Sequence, residues 1–278
     1  MKPLADLPEV RFGSKPTDGG FLIVEPEDYD SVMADPIAAK YVRPFRMGRE
    51  LIHGDERWCL WLEEASDLDM KESPIIGERV RNCGAYRAAA PKGGDAYKLR
   101  HTPHLFRPNK NRPTERYIAI PAVFSETRRW ATVGFLEPEV IPGNKVFTAL
   151  DPDGFAFAII SSLMFMTWQK MVGGRLKSDP NFSNTVVWNN LPLPSISEQS
   201  RLELAKLGKR IVTVRTSLHP KSLSCMYDPQ NLAIELAEAH QELDKAVDSL
   251  FGLTDESVTD ASRQRALVTS FLTLTRSR

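Results

Sequence analysis

Ala156-Phe157-Ala158-Ile159-Ile160-Ser161-Ser162-Leu163-Met164-Phe165-Met166-Thr167-Trp168-Gln169-Lys170-Met171 is strongly apolar and long for a strand. It reads as one helix, with Phe157, Ile160, Leu163, Met164, Met166 and Met171 marking it as the central helix of a core. Gly173-Gly174 ends it. On its N-terminal side lie segments of strand character: residues 117–120, Val123-Phe124, 132–135 and 145–149. On its C-terminal side, Trp188-Asn189-Asn190-Leu191-Pro192-Leu193-Pro194 is a proline-punctuated linker, after which the pattern turns purely helical. Ser195-Ile196-Ser197-Glu198 has capping-box spacing. Leu202, Ala205, Ile211, Val212 and Leu218 mark a first helix. Leu232, Leu236, Ala239, Leu243, Val247, Leu250 and Phe251 mark a second, ended by Gly252, and residues 258–274 make a third. The predicted class is α+β: a mixed β-sheet domain with packed helices over residues 1–194, then a small helical bundle over 195–278.

The N-terminal part reads less regularly. Phe12-Gly13-Ser14-Lys15-Pro16-Thr17-Asp18-Gly19-Gly20 is turn chemistry ahead of the apolar run 21–24. Pro26-Glu27-Asp28 opens a helix that runs to about Lys40. Glu50-Leu51-Ile52, His53-Gly54-Asp55 and residues 57–62 read as a β-hairpin turning at Gly54. Residues 73–90 read as a helix with Pro74 in its first turn. Residues 91–116 form a long loop rich in Pro, Gly, Asn and basic side chains, of the kind that often carries function.

The 278 residues carry 36 basic and 36 acidic side chains, a formal net charge of zero. The total hides a segregation. Residues 79–132 hold twelve basic residues against three acidic ones, and residues 1–78 hold nine against seventeen. Such asymmetry indicates a polyanion-binding surface or a set of solvated faces. No apolar run is long enough to span a membrane, and the first residues lack a signal-peptide pattern. Cys59, Cys83 and Cys225 are too few and too far apart for a disulfide framework and fit a reducing, cytoplasmic location.

No complete catalytic apparatus is evident. There is no phosphate-cradling Gly loop, no GxSxG elbow, no Asn/Asp-Pro-Pro-Tyr/Phe tetrapeptide of an amino-methyltransferase and no nuclease carboxylate–lysine cluster. His101 and His104 lack zinc spacing and a third ligand. Asp151 and Asp153 before Gly154 read as a turn and helix start. Cys59 reads as a packed thiol. Among the tryptophans, Trp130 beside Arg128 and Arg129 is the candidate stacking platform for nucleic acid.

Gly173-Gly174-Arg175-Leu176-Lys177-Ser178-Asp179-Pro180-Asn181-Phe182-Ser183-Asn184-Thr185 is dense in side chains that contact bases and phosphates. Lys donates to guanine O6 and N7, Asp accepts from cytosine N4, and Asn pairs with adenine N6 and N7. Lys177 and Asp179 are two apart, so in an extended segment they point the same way and together suit one G·C pair. Arg175 and Ser183 suit phosphate. The alternative is an exposed polar loop whose Lys–Asp pair has little energetic weight.

These stretches carry a resemblance. Phe12 to Gly20, Tyr41-Val42-Arg43-Pro44-Phe45, Arg57-Trp58-Cys59-Leu60-Trp61-Leu62, Thr102-Pro103-His104-Leu105-Phe106, Ser125-Glu126-Thr127-Arg128-Arg129, Gly134-Phe135-Leu136, Gly174-Arg175-Leu176-Lys177-Ser178-Asp179 and Trp188 to Pro194 follow in an order and spacing that resemble the C-terminal part of MmeI-like (Type IIL) restriction–modification enzymes. Tyr227-Asp228-Pro229, Ala239-His240, Leu243-Asp244 and Ala246-Val247-Asp248 resemble that family's C-terminal helical domain. The resemblance implies a target recognition module that binds double-stranded DNA, reads a short site in the major groove and presents an adenine for N6-methylation. It implies base-reading roles at Lys177, Asp179, Asn144, Lys145 and Asn181. The DNA backbone is expected to meet Arg128, Arg129, Arg175, Ser183, Lys98, Arg100, Arg107, Lys110 and Arg112. The nuclease and methyltransferase portions are absent, so the chain is expected to be a fragment or a free-standing specificity subunit, without catalysis of its own. S-adenosylmethionine is expected in a methyltransferase domain joined in cis or in trans, with no cofactor and no metal in this chain. An RNA-binding accessory module and a protein-interaction module with a basic docking face stay open beside this reading.

Overall fold

The computed structural model describes residues 2–107, 112–255 and 257–276. Its strands are β1 (Arg11–Phe12), β2 (Ile23–Val24), β3 (Val42–Arg46), β4 (Trp58–Leu60), β5 (Tyr117–Pro121), β6 (Gly134–Leu136), β7 (Ile141–Pro142), β8 (Val146–Leu150), β9 (Gly174–Leu176) and β10 (Asp179–Asn181). Its helices are α1 (Tyr29–Met33), α2 (Gly48–His53), α3 (Asp67–Glu72), α4 (Pro74–Ala89), α5 (Asp95–Lys98), α6 (Phe155–Ile160), α7 (Leu163–Val172), α8 (Glu198–Ser217), α9 (Leu223–Met226), α10 (Ile234–Leu250) and α11 (Asp260–Arg276). The strands form a sheet in the order β1-β8-β5-β6, a second in the order β2-β4-β3-β7, and the separate hairpin β9-β10. The class is α+β, as the patterning implies.

Two large apolar cores follow from the two sheets, with a smaller cluster of Leu51, Tyr117, Ala119 and Val146 beside them. The first, around β2, β3 and β4, takes in Leu22, Phe45, Leu60, Ile76, Cys83 and Phe106. The second is larger. Every residue of β5 is buried, as befits a strand paired on both edges, by β8 and by β6. Helices α6 and α7 contribute to this core, and so do Leu236, Leu243 and Val247 of α10 and Leu267 of α11. The helices after residue 195 therefore bury their apolar residues in the same core as the sheet. At the closest crossing, Gly208 of α8 meets Ala158 of α6, where an added Cβ would lie 3.1 Å from the alanine methyl.

The two sheets join at Gly143. Its N–H donates to Arg46 O at 2.8 Å, and a Cβ there would fall 2.7 Å from the Phe45 ring. Only glycine allows so close an approach. The turn Gly143-Asn144-Lys145 then carries the chain from β7 to β8.

Three local expectations are corrected. The hairpin expected at 50–62 is helix α2 followed by strand β4. The Glu50 carboxylate accepts from the Met47 N–H at 2.9 Å as an N-terminal cap, and Gly54, at φ 77°, caps the C-terminus instead of turning a hairpin. Strand β4 pairs with β2 and β3. The helix expected from Pro26 to Lys40 stops at Met33, because the Asp35 carboxylate takes the N–H groups of Ile37 and Ala38 beyond Pro36. The single helix of 156–171 is two, α6 and α7. Ser162 is extended and caps Phe165 N at 3.2 Å, while Asp244 of α10 takes Leu163 N at 2.7 Å. Helix α4 matches its expectation, with Pro74 first and the Ser73 hydroxyl accepting from Ile76 N.

Candidate nucleic-acid interface

Strands β9 and β10 make an antiparallel hairpin with Leu176 opposite Asp179, Arg175 opposite Pro180 and Gly174 opposite Asn181. Lys177 and Ser178 form its two-residue turn, and Lys177 holds φ 58°. The expected extended segment is thereby corrected: Lys177 is exposed at the tip and Asp179 opens the returning strand. Opposed residues share a face, so Leu176, Asp179 and Asn181 lie together, with Gly174 leaving room beside Asn181. Leu176 and Asn181 are exposed and Asp179 is half-buried.

The hairpin is stapled to the sheet along its returning strand. Phe124 N donates to Pro180 O and Phe182 N to Ala122 O, both at 2.9 Å. Ala122 N in turn donates to Lys145 O at 2.9 Å. The turn carrying Asn144 and Lys145, the segment 122–126 and the hairpin therefore lie side by side. Four of the five candidate base readers share this neighbourhood with Lys177 at its tip. From below, Gln169 of α7 donates Nε2 to Asn181 O at 3.2 Å. The Asp179 carboxylate accepts the Glu126 N–H at Oδ1, 2.9 Å.

The candidate phosphate contacts divide between the two cores. Near the hairpin, Arg175 is exposed and donates to Ser178 O at 3.1 Å. Ser183 is engaged as a cap, accepting from Val186 N at 3.1 Å. Arg129 is exposed, its guanidinium 5.0 Å from the Trp130 ring centroid. Together with Lys170, Thr167 and Gln264 it lines a cavity of about 290 Å³ between α7 and α11. Arg128 is half-buried, and burial lowers its pKa against the opposing charges of Asp179 and Asp228. The others sit over the first core. Lys98 is exposed at the end of α5, and Arg100 lies over Tyr97 at 4.1 Å. Arg107 pairs with Asp95 at 2.9 Å, while Arg112 lies over Trp61 and donates to Pro138 O. Lys110 lies outside the described residues.

Part of the basic excess is internal. Arg87 is fully buried, and its guanidinium donates to the carbonyls of Pro16, Thr17, Leu99, Thr102 and Leu105 at 2.7–3.3 Å. Arg79 donates to Phe21 O and Ile23 O and pairs with Asp28. Both knit loops to α4.

Trp130 is not a stacking platform. It is buried against the His240 ring, centroids 4.5 Å apart, and its Nε1–H donates to Asp244 Oδ2 at 2.9 Å. His240 Nδ1 faces Ser161 O at 3.1 Å and its Nε2 faces Tyr227 Oη at 2.6 Å. Arg215 donates to the same Tyr227 oxygen and to Val133 O. A carbonyl can only accept, so Nδ1 carries the proton and Nε2 accepts from the tyrosine. Burial holds the His240 pKa well below its usual value and pushes that of Asp244 up to about 6. The sequence marked Trp130 as a surface candidate and Tyr227, His240 and Asp244 only as parts of family motifs, and gave no sign that they meet. Glu126 and Gln169 hold the hairpin through a backbone N–H and a side-chain amide; the sequence showed them only as members of a family motif and of the apolar run 156–171, with no sign of this role.

The remaining polar candidates are structural. Asp151 accepts from Ala156 N and Phe157 N, and Asp153 from Phe155 N, at the start of α6. His104 is half-buried and its pKa is lowered by burial. Burial raises the Cys59 thiol pKa. Among the described residues no cluster of His, Cys, Asp and Glu is arranged to hold a metal, and no helix is long and apolar enough to cross a membrane.

Comparison with known proteins bears on this arrangement. A family model described as "MmeI, target recognition domain" matches residues 1–195, and one described as "MmeI, C-terminal domain" matches residues 196–277. "DNA methyltransferase A" of Bacillus subtilis (strain 168) is 33% identical over 251 residues, covering 90% of this chain and 28% of the relative. The solved structure of the Type IIL restriction-modification enzyme MmeI in complex with DNA superposes with a TM-score of 0.94 at 30% identity. That match covers 99% of this chain and 37% of the solved one. The chain thus spans roughly a third of the length of the proteins it matches.

Proposed function

The chain belongs to the MmeI family, as its target recognition and C-terminal domains, and from that premise we propose that it reads a short site in double-stranded DNA. Lys177 and Asp179 take one G·C pair, while Asn144, Lys145 and Asn181 contact neighbouring bases. Arg128, Arg129, Arg175, Ser183, Lys98, Arg100, Arg107, Lys110 and Arg112 engage the phosphates. Such contacts supply affinity and salt dependence, whereas base contacts supply the choice of site. The chain divides at 194/195 into a recognition domain and a helical domain, and it acts in the cytoplasm. It presents an adenine for N6-methylation to a methyltransferase domain supplied in cis or in trans. S-adenosylmethionine belongs to that domain; no residue of this chain is assigned to it.

One observation carries the reading. The hairpin tip, the face bearing Asp179 and Asn181, and the Asn144-Lys145 turn are neighbours through Ala122, although 37 positions separate Asn144 from Asn181. Polar groups with base-reading chemistry are thus gathered on one β-ribbon edge, and a two-stranded ribbon fits the major groove. The test is selection from a randomised duplex library by the purified chain at low and at higher salt. An enriched motif with a discrete G·C requirement that Lys177→Ala with Asp179→Ala relaxes is the expected result. Salt-sensitive binding without any motif overturns the base-reading assignment for this chain. Preference for structured RNA, or no binding at low salt, overturns the DNA reading.

A further inference from the structure

We infer that helix α10 sets the orientation of the Asp179 carboxylate, with Trp130 and Glu126 as positioning residues for base readout. The inference rests on the proposed role of Asp179. One oxygen of that carboxylate is already committed, accepting from Glu126 N at 2.9 Å. Among the described residues no group donates a hydrogen bond to Oδ2. A carboxylate with one oxygen fixed by a backbone donor and the other open is an oriented acceptor for an exocyclic amine such as cytosine N4.

The donor is in turn held from the helical side. Glu126 lies on the short segment that runs to Val133, and the helices grip that segment at both ends of its buried part. At Trp130, the indole Nε1–H reaches Asp244 Oδ2 at 2.9 Å, and the ring stacks on His240. At Val133, the carbonyl accepts from Arg215 of α8 at 2.7 Å. Asp244 also takes Leu163 N at 2.7 Å, so the same carboxylate fixes the start of α7. Helix α7 carries Gln169, which holds Asn181 O on the hairpin. The Asp244 side chain therefore references both supports of the hairpin to one point on α10. A shift of this anchor would turn the Asp179 acceptor without removing any base-contacting atom.

The experiment compares Trp130→Phe, Asp244→Asn and Asp179→Ala in the full 278-residue chain. Trp130→Phe removes the indole donor and keeps an aromatic ring against His240. Asp244→Asn is the second variant, retaining shape and one acceptor. Binding is measured to duplexes carrying each of the four base pairs at every position of the selected site. The expected result is a loss of preference of about 3- to 10-fold at the pair read by Asp179, the worth of one hydrogen bond. Preferences at other positions and the salt slope stay unchanged. In parallel, the Glu126 amide resonance, which reports its hydrogen bond to the Asp179 carboxylate and moves in Asp179→Ala, moves in the same direction in Trp130→Phe. A uniform weakening at all positions, or a lowered melting temperature with an unchanged preference profile, overturns the inference and leaves Trp130 a packing residue. An unchanged profile in Asp179→Ala overturns instead the reading on which it rests.

Discussion

Trp130 and Asp244, 114 positions apart, meet in a buried hydrogen bond of 2.9 Å from indole Nε1 to carboxylate Oδ2. The bond joins the segment that supports the hairpin to the helical part of the chain. It also places an ionisable group where water does not reach, and this has a consequence for stability.

Burial raises the Asp244 pKa to about 6, above the ~3.9 of an unfolded aspartate. Between those values the folded state holds the extra proton. The stabilisation is complete below pH 4 and is lost as pH rises through 6. Asp244→Asn removes this loss. The stability of the native protein minus that of the variant should fall by about 2 kcal/mol from pH 4 to pH 7. Urea unfolding of both proteins across that range measures it, and parallel curves would refute the assignment.

His240 behaves in the opposite sense. Its folded pKa lies well below the unfolded value, so its contribution is present above pH 6.5 and is lost as acid forces a proton onto the buried ring. Tyr227 supplies the proton that its Nε2 accepts and receives Arg215 on the same oxygen. Tyr227→Phe leaves both partners without that atom. A destabilisation of about 2–4 kcal/mol at pH 7.5 is expected. A loss below 1 kcal/mol in chemical denaturation would mean that water replaces the hydroxyl.

Lys177→Gly separates backbone strain from base reading. A non-glycine residue at φ 58° carries a cost that glycine avoids, partly offset by the larger freedom of glycine when unfolded. The variant should be as stable as the native protein or up to about 1 kcal/mol more so. It should also lose preference at the pair that the proposed function assigns to Lys177. Calorimetry and duplex binding on one preparation decide the point; reduced stability together with retained preference would contradict both halves.

Arg87→Lys tests the internal share of the basic segment. A guanidinium spreads its donors over five carbonyls, which the single nitrogen of lysine cannot match. The substitution should cost about 3 kcal/mol and open residues 99–105 to proteolysis, with no change in the salt slope of DNA binding. By contrast, Arg129→Gln should lower that slope by about one without altering the preferred site. A slope change for Arg87→Lys alone would reverse the two roles.

Periodicity and composition were enough for the α+β class, helix α4, strands β5 and β8, the helices after 195 and the segregation of charge. These features are local: an apolar period, a capping serine, a proline in a first turn or a glycine after a last one acts within a few residues. The order of short motifs was enough for the family, and Lys177 and Asp179 drew attention by their chemistry alone. Tertiary structure decided what such signals leave open. Gly54 serves a hairpin turn or a helix end equally well, and the cap supplied by Glu50 selects the second. The run at 156–171 is apolar on every side, so its break at Ser161-Ser162 depends on Asp244, a carboxylate more than eighty positions away. Trp130 beside two arginines looks like a platform until the core closes over it. Arg87 looks like surface charge until five carbonyls surround it. In each case a distant hydrogen-bonding partner selects among conformations that the local sequence leaves close in energy, because a buried polar group must find its partner wherever the fold provides one.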